Sequence, residues 1–316
     1  MILRRKFLVK ARWTIEEELM PNQAAISVRQ LLHQQWLLPN RFIHYLRSRH
    51  QIEFNHQYRY MNENVYPGDK VTMHFYGDEF RTAQSNYRKT IHPQLKVLYE
   101  NRNLLVVNKP AGQKTHPNQP LETGTLMNDV AGYLAGKSDA AYMVHRIDQA
   151  TSGALIVAKN PVVVPVLDRL IATNQIHREY LAVVNGELPN GTGYFDWPIG
   201  KDPDDQRKRK VSGLCAQPAV TYYQTLGVAN GQSLVKLRLA TGRTHQIRVH
   251  LAYSGHPIVG DQLYGNEPAS HMLLHGRSQR LVIPFKGSLK QIFAPIPAYF
   301  PNALVKYDQK ELQGGY

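Results

Sequence analysis

The chain has 316 residues, 42% hydrophobic and 20% charged, so it can bury a core as one large domain or a large and a small one, and it is not a disordered protein. Its 38 lysines and arginines exceed its 24 acidic residues, and the net charge of +14 favours a polyanionic partner such as nucleic acid. The single Cys215 excludes an internal disulfide framework and cysteine-rich zinc modules.

The sequence also predicts a cytoplasmic protein without membrane contact. Residues 1–13 mix cations with scattered apolar residues and lack the apolar core of a signal peptide. No apolar run approaches the roughly twenty residues that a membrane span needs.

Residues 1–75 are predicted to form a small separate unit. Helical spacing of apolar residues predicts helices over Ile26–Trp36 and Pro39–Arg49. A short strand Gln51–Phe54, a turn at Asn55-His56 and a strand ending near Met73 follow. The basic residues on these helices suit a small RNA-gripping module, and they equally suit a solvated basic face on an ordinary domain.

The polar residues 76–94 predict a linker, and residues 95–303 a larger domain with strands at Leu95–Tyr99, from Leu104, and at His177–Val184. A helix is predicted over Pro161–Thr173, and Asn230-Gly231 predicts a hairpin turn between Val220–Leu226 and Ser233–Leu239. Residues 304–316 are predicted to be a polar tail.

A mixed-charge loop is expected at Lys201–Lys210. Its four terminal cations predict either a solvated face or contact with nucleic acid phosphates.

Asp148 is the centre of the functional prediction. It follows His145 and Arg146 and precedes a Thr151-Ser152-Gly153 turn, on a loop between predicted strands at residues 141–144 and 154–158. A side chain on such a loop is firmly placed and still accessible to a substrate. Alternatively, Asp148 only caps the turn through its backbone amides.

A second candidate segment is a predicted helix with Thr244 as its cap and Gly255 just past its end. His245, Arg248 and Ala252 share one face of that helix, so Arg248 can point at a neighbouring site while the opposite apolar face is buried.

Several stretches together resemble the RluA/RluD-type pseudouridine synthases. They are residues 108–112 (NKPAG), 145–153 (HRIDQATSG), 178–186 (REYLAVVNG), 241–250 (TGRTHQIRVH), Gly260-Asp261 and Tyr264-Gly265. The resemblance covers residues 95 to about 300 and implies an α+β fold with a central mixed, largely antiparallel sheet. Residues 1–75 resemble, with a degenerate turn, a small RNA-binding domain first described in a small-subunit ribosomal protein.

The resemblance also implies roles for individual residues. Asp148 would be the nucleophile that attacks the target uridine, Tyr180 would pack on the uracil, and Arg248 would pair with Asp148. Arg146 would fill the gap left by the flipped base. His145, Arg243 and His245 are further candidates for RNA contact or base flipping. The family commonly has lysine where this chain has Arg178.

The chemistry of the residues agrees with these roles. A carboxylate can capture or stabilise an electron-poor sugar carbon, and a nearby cation such as Arg248 opposes the rise in its pKa that burial would cause. The base must leave its stack to reach the carboxylate, and an aromatic side chain gives it a surface.

The sequence therefore predicts an RNA pseudouridine synthase, acting as a monomer on large-subunit ribosomal RNA or transfer RNA. No cofactor is expected, since the isomerisation is redox-neutral, and the histidine spacings, including His271 and His275, predict no metal site. A non-catalytic RNA-binding or assembly factor with the same fold is the main alternative. An Asp-dependent glycosidase is another, but it would require a second catalytic carboxylate.

Overall fold

The computed structural model of this chain describes residues 11–81, 83–137, 139–188, 191–265 and 269–314, with side chains described as far as residue 309. Over these ranges the chain forms a small N-terminal sheet unit packed against a larger mixed sheet, which confirms the predicted α+β class.

The strands are Trp13–Glu18 (β1), Ile26–Ser27 (β2), Ile52–Phe54 (β3), Asn64–Val65 (β4), Lys70–Phe75 (β5), Val97–Glu100 (β6), Leu104–Lys109 (β7), Tyr142–Met143 (β8), Ser152–Ala158 (β9), Ile176–Asn185 (β10), Thr192–Phe195 (β11), Ile199–Lys201 (β12), Arg209–Val211 (β13), Leu214–Gln217 (β14), Thr221–Ala229 (β15), Gln232–Leu239 (β16), Leu274–Val282 (β17) and Leu289–Phe293 (β18). The helices are Val28–Gln30 (α1), Asn40–Ser48 (α2), Leu126–Tyr133 (α3), Val164–Ala172 (α4), Gln246–Tyr253 (α5) and Asn302–Gly314 (α6), and Leu31–Gln35 is a π-helical segment.

The described part of the N-terminal unit contains the predicted helices and the two predicted strands in the predicted order, but also β1, β2 and β4, which the sequence analysis did not predict. Ser27 begins α1 with a capping box, in which its hydroxyl accepts from Gln30 N and Gln30 Oε1 accepts from Ser27 N. The first predicted helix runs on as the π-helical segment rather than as continuous α-helix. At the predicted turn, Asn55 and His56 both have positive φ, so they adopt the left-handed conformation that an Asn-Gly turn normally supplies.

The two units share one apolar core. The Trp36 ring lies edge-on to Phe285 at 5.3 Å between centroids. The Arg169 guanidinium of α4 donates to the carbonyls of Leu37 and Leu38, at 3.1 and 2.9 Å. The small unit is therefore docked on the larger one rather than attached by a free linker.

The described residues of the predicted linker, 76–81 and 83–94, form no helix or strand, and they are hydrogen-bonded to the larger domain. Tyr142 Oη donates to Ala83 O at 2.9 Å, Asn128 Nδ2 donates to Arg88 O at 2.8 Å, and Asn128 O accepts from Thr90 N at 3.1 Å. These bonds fix the path of the segment.

The large sheet has the strand order β11-β15-β16-β10-β17-β9-β7-β6, with β18 beside β17 and β8 beside β9. Within the described residues its neighbouring strands run antiparallel except for β9 and β17, which confirms the predicted mixed, largely antiparallel sheet. The parallel pair brings Gly153 against Gly276. A β-carbon on Gly153 would lie 2.3 Å from Gly276 O, and its φ of +114° also favours glycine.

Two predicted irregular segments are more ordered than expected. Residues 202–208 of the predicted Lys201–Lys210 loop do form a loop, but its ends pair in a small sheet of β12, β13 and β14. The predicted polar tail contains α6. Leu304 is buried against the large sheet, and Asp308 pairs with Arg277 at 3.0 Å, so a few buried residues stabilise a helix that is otherwise polar.

The hairpin of β15 and β16 turns at Asn230-Gly231, as predicted. Helix α4 begins three residues later than predicted, and the turn before it is closed by a hydrogen bond from Val163 N to Asn160 Oδ1. Among the described residues, the helices are all too short or too polar to cross a membrane.

Candidate active site

Asp148 lies on the loop between β8 and β9, as predicted, and its side chain is 21% exposed. The turn is closed by its backbone, because Thr151 N donates to Asp148 O at 3.1 Å. The carboxylate itself accepts from Arg248 Nη1 at 3.1 Å. A backbone hydrogen bond therefore closes the turn, and the Asp148 carboxylate instead contacts Arg248 of α5.

Lys109 links this loop to the backbone of residues 110–113. Its ammonium is completely buried and donates to the carbonyls of Gln149, Pro110 and Gln113, at 3.1, 2.9 and 2.7 Å. Burial lowers the pKa of Lys109 to about 7, while the nearby Asp148 carboxylate opposes that shift. Because three carbonyls each accept a hydrogen bond, the ammonium is the form that this site accommodates.

Arg248 is fixed by a second carboxylate, that of Asp261. Its Nε and Nη2 donate to the two oxygens of Asp261, each at 2.8 Å, which leaves Nη1 for Asp148. Burial alone would lower the pKa of Arg248, but its bonds to Asp261 and Asp148 raise it. The result is a permanently charged guanidinium in a fixed position beside Asp148.

Asp261 is itself held by backbone amides. Its Oδ1 accepts from Leu263 N at 2.9 Å and Tyr264 N at 3.2 Å. Burial would raise the pKa of Asp261, and the hydrogen bonds and charge of Arg248 outweigh burial and lower it. Asp261 is therefore the ionised partner that orients Arg248.

His245 lies next to this pair, at the start of α5. The helix begins at Gln246, one residue later than a Thr244 cap predicts, because His245 has a left-handed backbone with φ +59°. The side chain of Gln246 caps the turn instead, accepting from Arg243 N at 2.9 Å. His245 Nε2 lies 3.9 Å from Asp148 Oδ2, and its Nδ1 is 2.8 Å from the hydroxyl of Tyr264.

Tyr180 projects from β10 to the same place. It lines a small cavity of about 70 Å³ together with Asp148, Arg248 and Arg178. Its side chain is otherwise buried, and burial raises the pKa of Tyr180, with Arg178 opposing and Asp148 adding to the shift. The structure thus brings Asp148, Tyr180 and Arg248 together from three distant parts of the chain.

A larger cavity of about 590 Å³ adjoins the small one. Arg146, whose Nη1 is 3.1 Å from His116 Nε2, lines both cavities. Asp148, His245 and Arg248 line both as well. The volume lies in the range of pockets that enclose small ligands, so an everted nucleotide would fit.

The two other candidate residues for RNA contact, Arg243 and His145, differ in exposure. Arg243 is exposed beside the small cavity, with its Nε donating to Pro218 O at 3.0 Å. His145 is buried and lines neither cavity. Its Nε2 accepts from Ile156 N at 3.1 Å, and burial lowers the pKa of His145 to about 3, with the charge of Arg178 adding to the shift. Alternation along the chain points Arg146 outward and His145 into the core, so the expected RNA contact for His145 is not retained.

The residues without an assigned role in the sequence prediction are Lys109, Asp261 and Tyr264. All three lie in stretches that carry the family resemblance, which was the available signal. Their roles depend on contacts with distant segments, which no local pattern specifies.

Comparisons with known proteins identify the family of the chain. Residues 103–253 match the family described as RNA pseudouridylate synthase, and residues 15–71 match the family described as RluD ribosomal pseudouridine synthase N-terminal domain. An uncharacterized RNA pseudouridine synthase of Bacillus subtilis, YhcT, is 37% identical over 267 residues, which span 82% of this chain and 86% of that protein.

Ribosomal large subunit pseudouridine synthase D of Escherichia coli is 36% identical over 259 residues, 74% of this chain and 76% of that protein. Among solved structures, human RNA pseudouridylate synthase domain containing 1 is similar, with a TM-score of 0.55 and 27% identity over 68% of this chain and 87% of that one. The chain therefore belongs to the RluA/RluD-type family of RNA pseudouridine synthases, isomerases that convert uridine to pseudouridine.

Proposed function

We propose that this enzyme isomerises specific uridines of large-subunit ribosomal RNA, with Asp148 as the nucleophile. The observation that carries the proposal is the carboxylate of Asp148, partly exposed between two cavities and paired with the anchored Arg248. The similarity to ribosomal large subunit pseudouridine synthase D supports ribosomal RNA as the substrate class.

The reaction follows from the position of the carboxylate. In one route, Asp148 bonds to the anomeric carbon of the ribose as the N1–C1′ bond breaks, and uracil leaves as an anion. The base then rotates, its C5 bonds to C1′ as the Asp148 ester bond breaks, and the proton on C5 is lost while N1 gains one. In the other route, Asp148 adds first to the base. Both routes use the carboxylate in its ionised form, and the Arg248 guanidinium donates a hydrogen bond to it at 3.1 Å.

Tyr180 has the properties of a base-stacking residue. Its side chain is buried in the apolar core and lines the small cavity beside Asp148. A raised pKa keeps the phenol protonated at neutral pH, so it can support the uracil ring and hydrogen-bond to it. Arg146, which lines both cavities, is placed to occupy the space that the everted base leaves.

The remaining RNA would follow the basic surfaces. Arg207 is 75% exposed at its side chain, on the segment between β12 and β13. On the N-terminal unit, a cavity of about 410 Å³ is lined by Arg29, His33, His44 and Arg47. Arginine cations such as Arg29 and Arg47 bind phosphates by releasing counterions, which supports an RNA-binding role for the N-terminal unit.

The test is to incubate the protein with uracil-labelled transcripts of large-subunit ribosomal RNA and of transfer RNA, and to digest them to nucleosides. We expect pseudouridine from the wild type and none from Asp148→Asn, which keeps the size of the side chain but not its charge. Asp168→Asn, a change at an exposed aspartate of α4 outside both cavities, is the control and should retain activity.

The other outcomes separate the alternatives. RNA that is bound but unchanged would identify a non-catalytic RNA-binding protein, and free uracil would identify a glycosidase. Pseudouridine in transfer RNA alone would reassign the substrate. Appreciable turnover by Asp148→Asn would exclude Asp148 as the nucleophile.

A further inference from the structure

Tyr264 contacts both Arg248 and His245 in this site. The Arg248 guanidinium lies over its ring, at 5.0 Å from the ring centroid. The Tyr264 hydroxyl is hydrogen-bonded on two sides, to Arg209 N at 2.7 Å and to His245 Nδ1 at 2.8 Å. It thus joins the small sheet of β12–β14 to the histidine beside Asp148.

The direction of these two hydrogen bonds follows from counting protons. The backbone N–H of Arg209 can only donate, so the Tyr264 oxygen accepts there. Within the described part of the chain, His245 Nδ1 is the acceptor available to the single proton of the Tyr264 hydroxyl. Both hydrogen bonds of the Tyr264 hydroxyl form when it donates to an unprotonated Nδ1, which leaves the imidazole proton on Nε2.

We propose that Tyr264 is a positioning residue that holds His245 as the neutral Nε2–H form, a hydrogen-bond donor directed at Asp148 and at the oxygen atoms of a nucleotide bound there. A second proton on His245 would require Nδ1 to become a donor, and the proton of the Tyr264 hydroxyl would then lose its acceptor. Tyr264 therefore disfavours the imidazolium, which would pair tightly with Asp148 and weaken it as a nucleophile.

Two further observations support this arrangement. His245 has a left-handed backbone, which is uncommon for a residue with a β-carbon and is found where the surroundings impose it. The Tyr264 and His245 rings are also in edge contact, at 5.6 Å between centroids.

The charged groups that act on His245 are Asp148 and Asp261, which favour its protonation, and Arg248 and Arg209, which oppose it. Burial lowers the pKa of His245 as well, in agreement with a neutral ring.

The tautomer is measured by nuclear magnetic resonance on protein with ¹⁵N-labelled histidine, using His245→Gln to identify its signals. In the wild type without RNA we expect a protonated Nε2 and an unprotonated, hydrogen-bonded Nδ1. In Tyr264→Phe, which keeps the ring over Arg248, His245 should take up its second proton at a higher pH than in the wild type. A wild-type His245 with its proton on Nδ1, or an unchanged titration in Tyr264→Phe, would overturn the proposal.

Activity provides a separate readout, which rests on the proposed function. Loss of one buried hydrogen bond predicts a kcat for Tyr264→Phe that is lower by roughly tenfold, with KM changed by less than about twofold. Tyr133→Phe is the control, because the Tyr133 hydroxyl donates to Glu100 at 2.8 Å, outside both cavities. It should retain the wild-type kcat. If the tautomer is as expected but kcat is unchanged in Tyr264→Phe, the catalytic part of the proposal fails. The tautomer is read without turnover, so its result does not depend on which RNA is the substrate.

Discussion

Asp261→Asn tests how far catalysis depends on the residue that holds Arg248. The asparagine retains the shape of the aspartate but turns one acceptor into an amide donor, which faces a guanidinium that can only donate. It also leaves the Arg248 charge buried with Asp148 as its counterion. Removing one partner of a buried ion pair lowers the free energy of unfolding by about 3–5 kcal/mol. For a chain of this size that corresponds to a drop in Tm of roughly 5–10 °C.

The effect on turnover follows from the same change. Arg248 would be drawn towards Asp148, and a nucleophile that is more tightly paired in the ground state reacts more slowly. A lost charge-assisted hydrogen bond of about 1.5–3 kcal/mol predicts a kcat lower by roughly 10–100-fold. The assay is pseudouridine formation under saturating RNA, together with thermal unfolding of each variant.

Asp308→Asn is the matched control for Asp261→Asn. Asp308 is also buried and paired with an arginine, Arg277, at 3.0 Å, but it belongs to α6 and lines neither cavity. It should lose a similar amount of stability with little change in kcat. If both variants lose kcat alike, or if Asp261→Asn matches the wild type in Tm and kcat, Asp261 does not orient Arg248.

Three further changes test other parts of the structure. Gly153→Ala should lower the free energy of unfolding by on the order of 3 kcal/mol or more, because the new β-carbon would clash with the neighbouring strand. Gly231→Ala, at an open hairpin turn, should lower it by about 1 kcal/mol. Denaturant unfolding measures both. Burial lowers the pKa of His275 from 6.5 to about 4. The unfolded chain therefore binds this proton first, and stability that is complete above pH 6.5 is lost as the pH falls towards 4. Urea unfolding should show a loss of about 2 kcal/mol from this group between pH 7 and pH 5 that is absent in His275→Gln, and equal losses in both proteins would contradict the assignment. Lys109→Met should lower kcat while RNA binding persists in a filter-binding assay, because the loop carrying Asp148 loses its anchor; wild-type turnover would show that the loop does not need it.

Sequence reasoning located the elements whose determinants are local. The short apolar runs on both sides of Asp148 became β8 and β9, and Asn230-Gly231 made the predicted hairpin. Helical periodicity also placed Arg248 on the face that meets Asp148. In each case neighbouring residues suffice to specify the geometry.

The features that sequence reasoning did not locate depend on distant contacts. Asp261 and Tyr264 follow no periodic pattern, and their partners Arg248 and His245 belong to a different element. The helix α6 depends on Leu304 and Asp308 finding partners on the large sheet, while most of its residues are polar. A local pattern cannot distinguish such a helix from a solvated tail.

The docked N-terminal unit has a consequence for how this enzyme would choose its RNA. Because Trp36 packs on Phe285 and Arg169 binds the backbone at Leu37 and Leu38, the small unit cannot swing freely around the linker. We expect the distance between the N-terminal unit and the active site to be fixed. An RNA would then be accepted only when its target uridine lies at that distance from the segment that the N-terminal unit binds. Sequence-independent affinity and strict choice of site can then coexist in one protein.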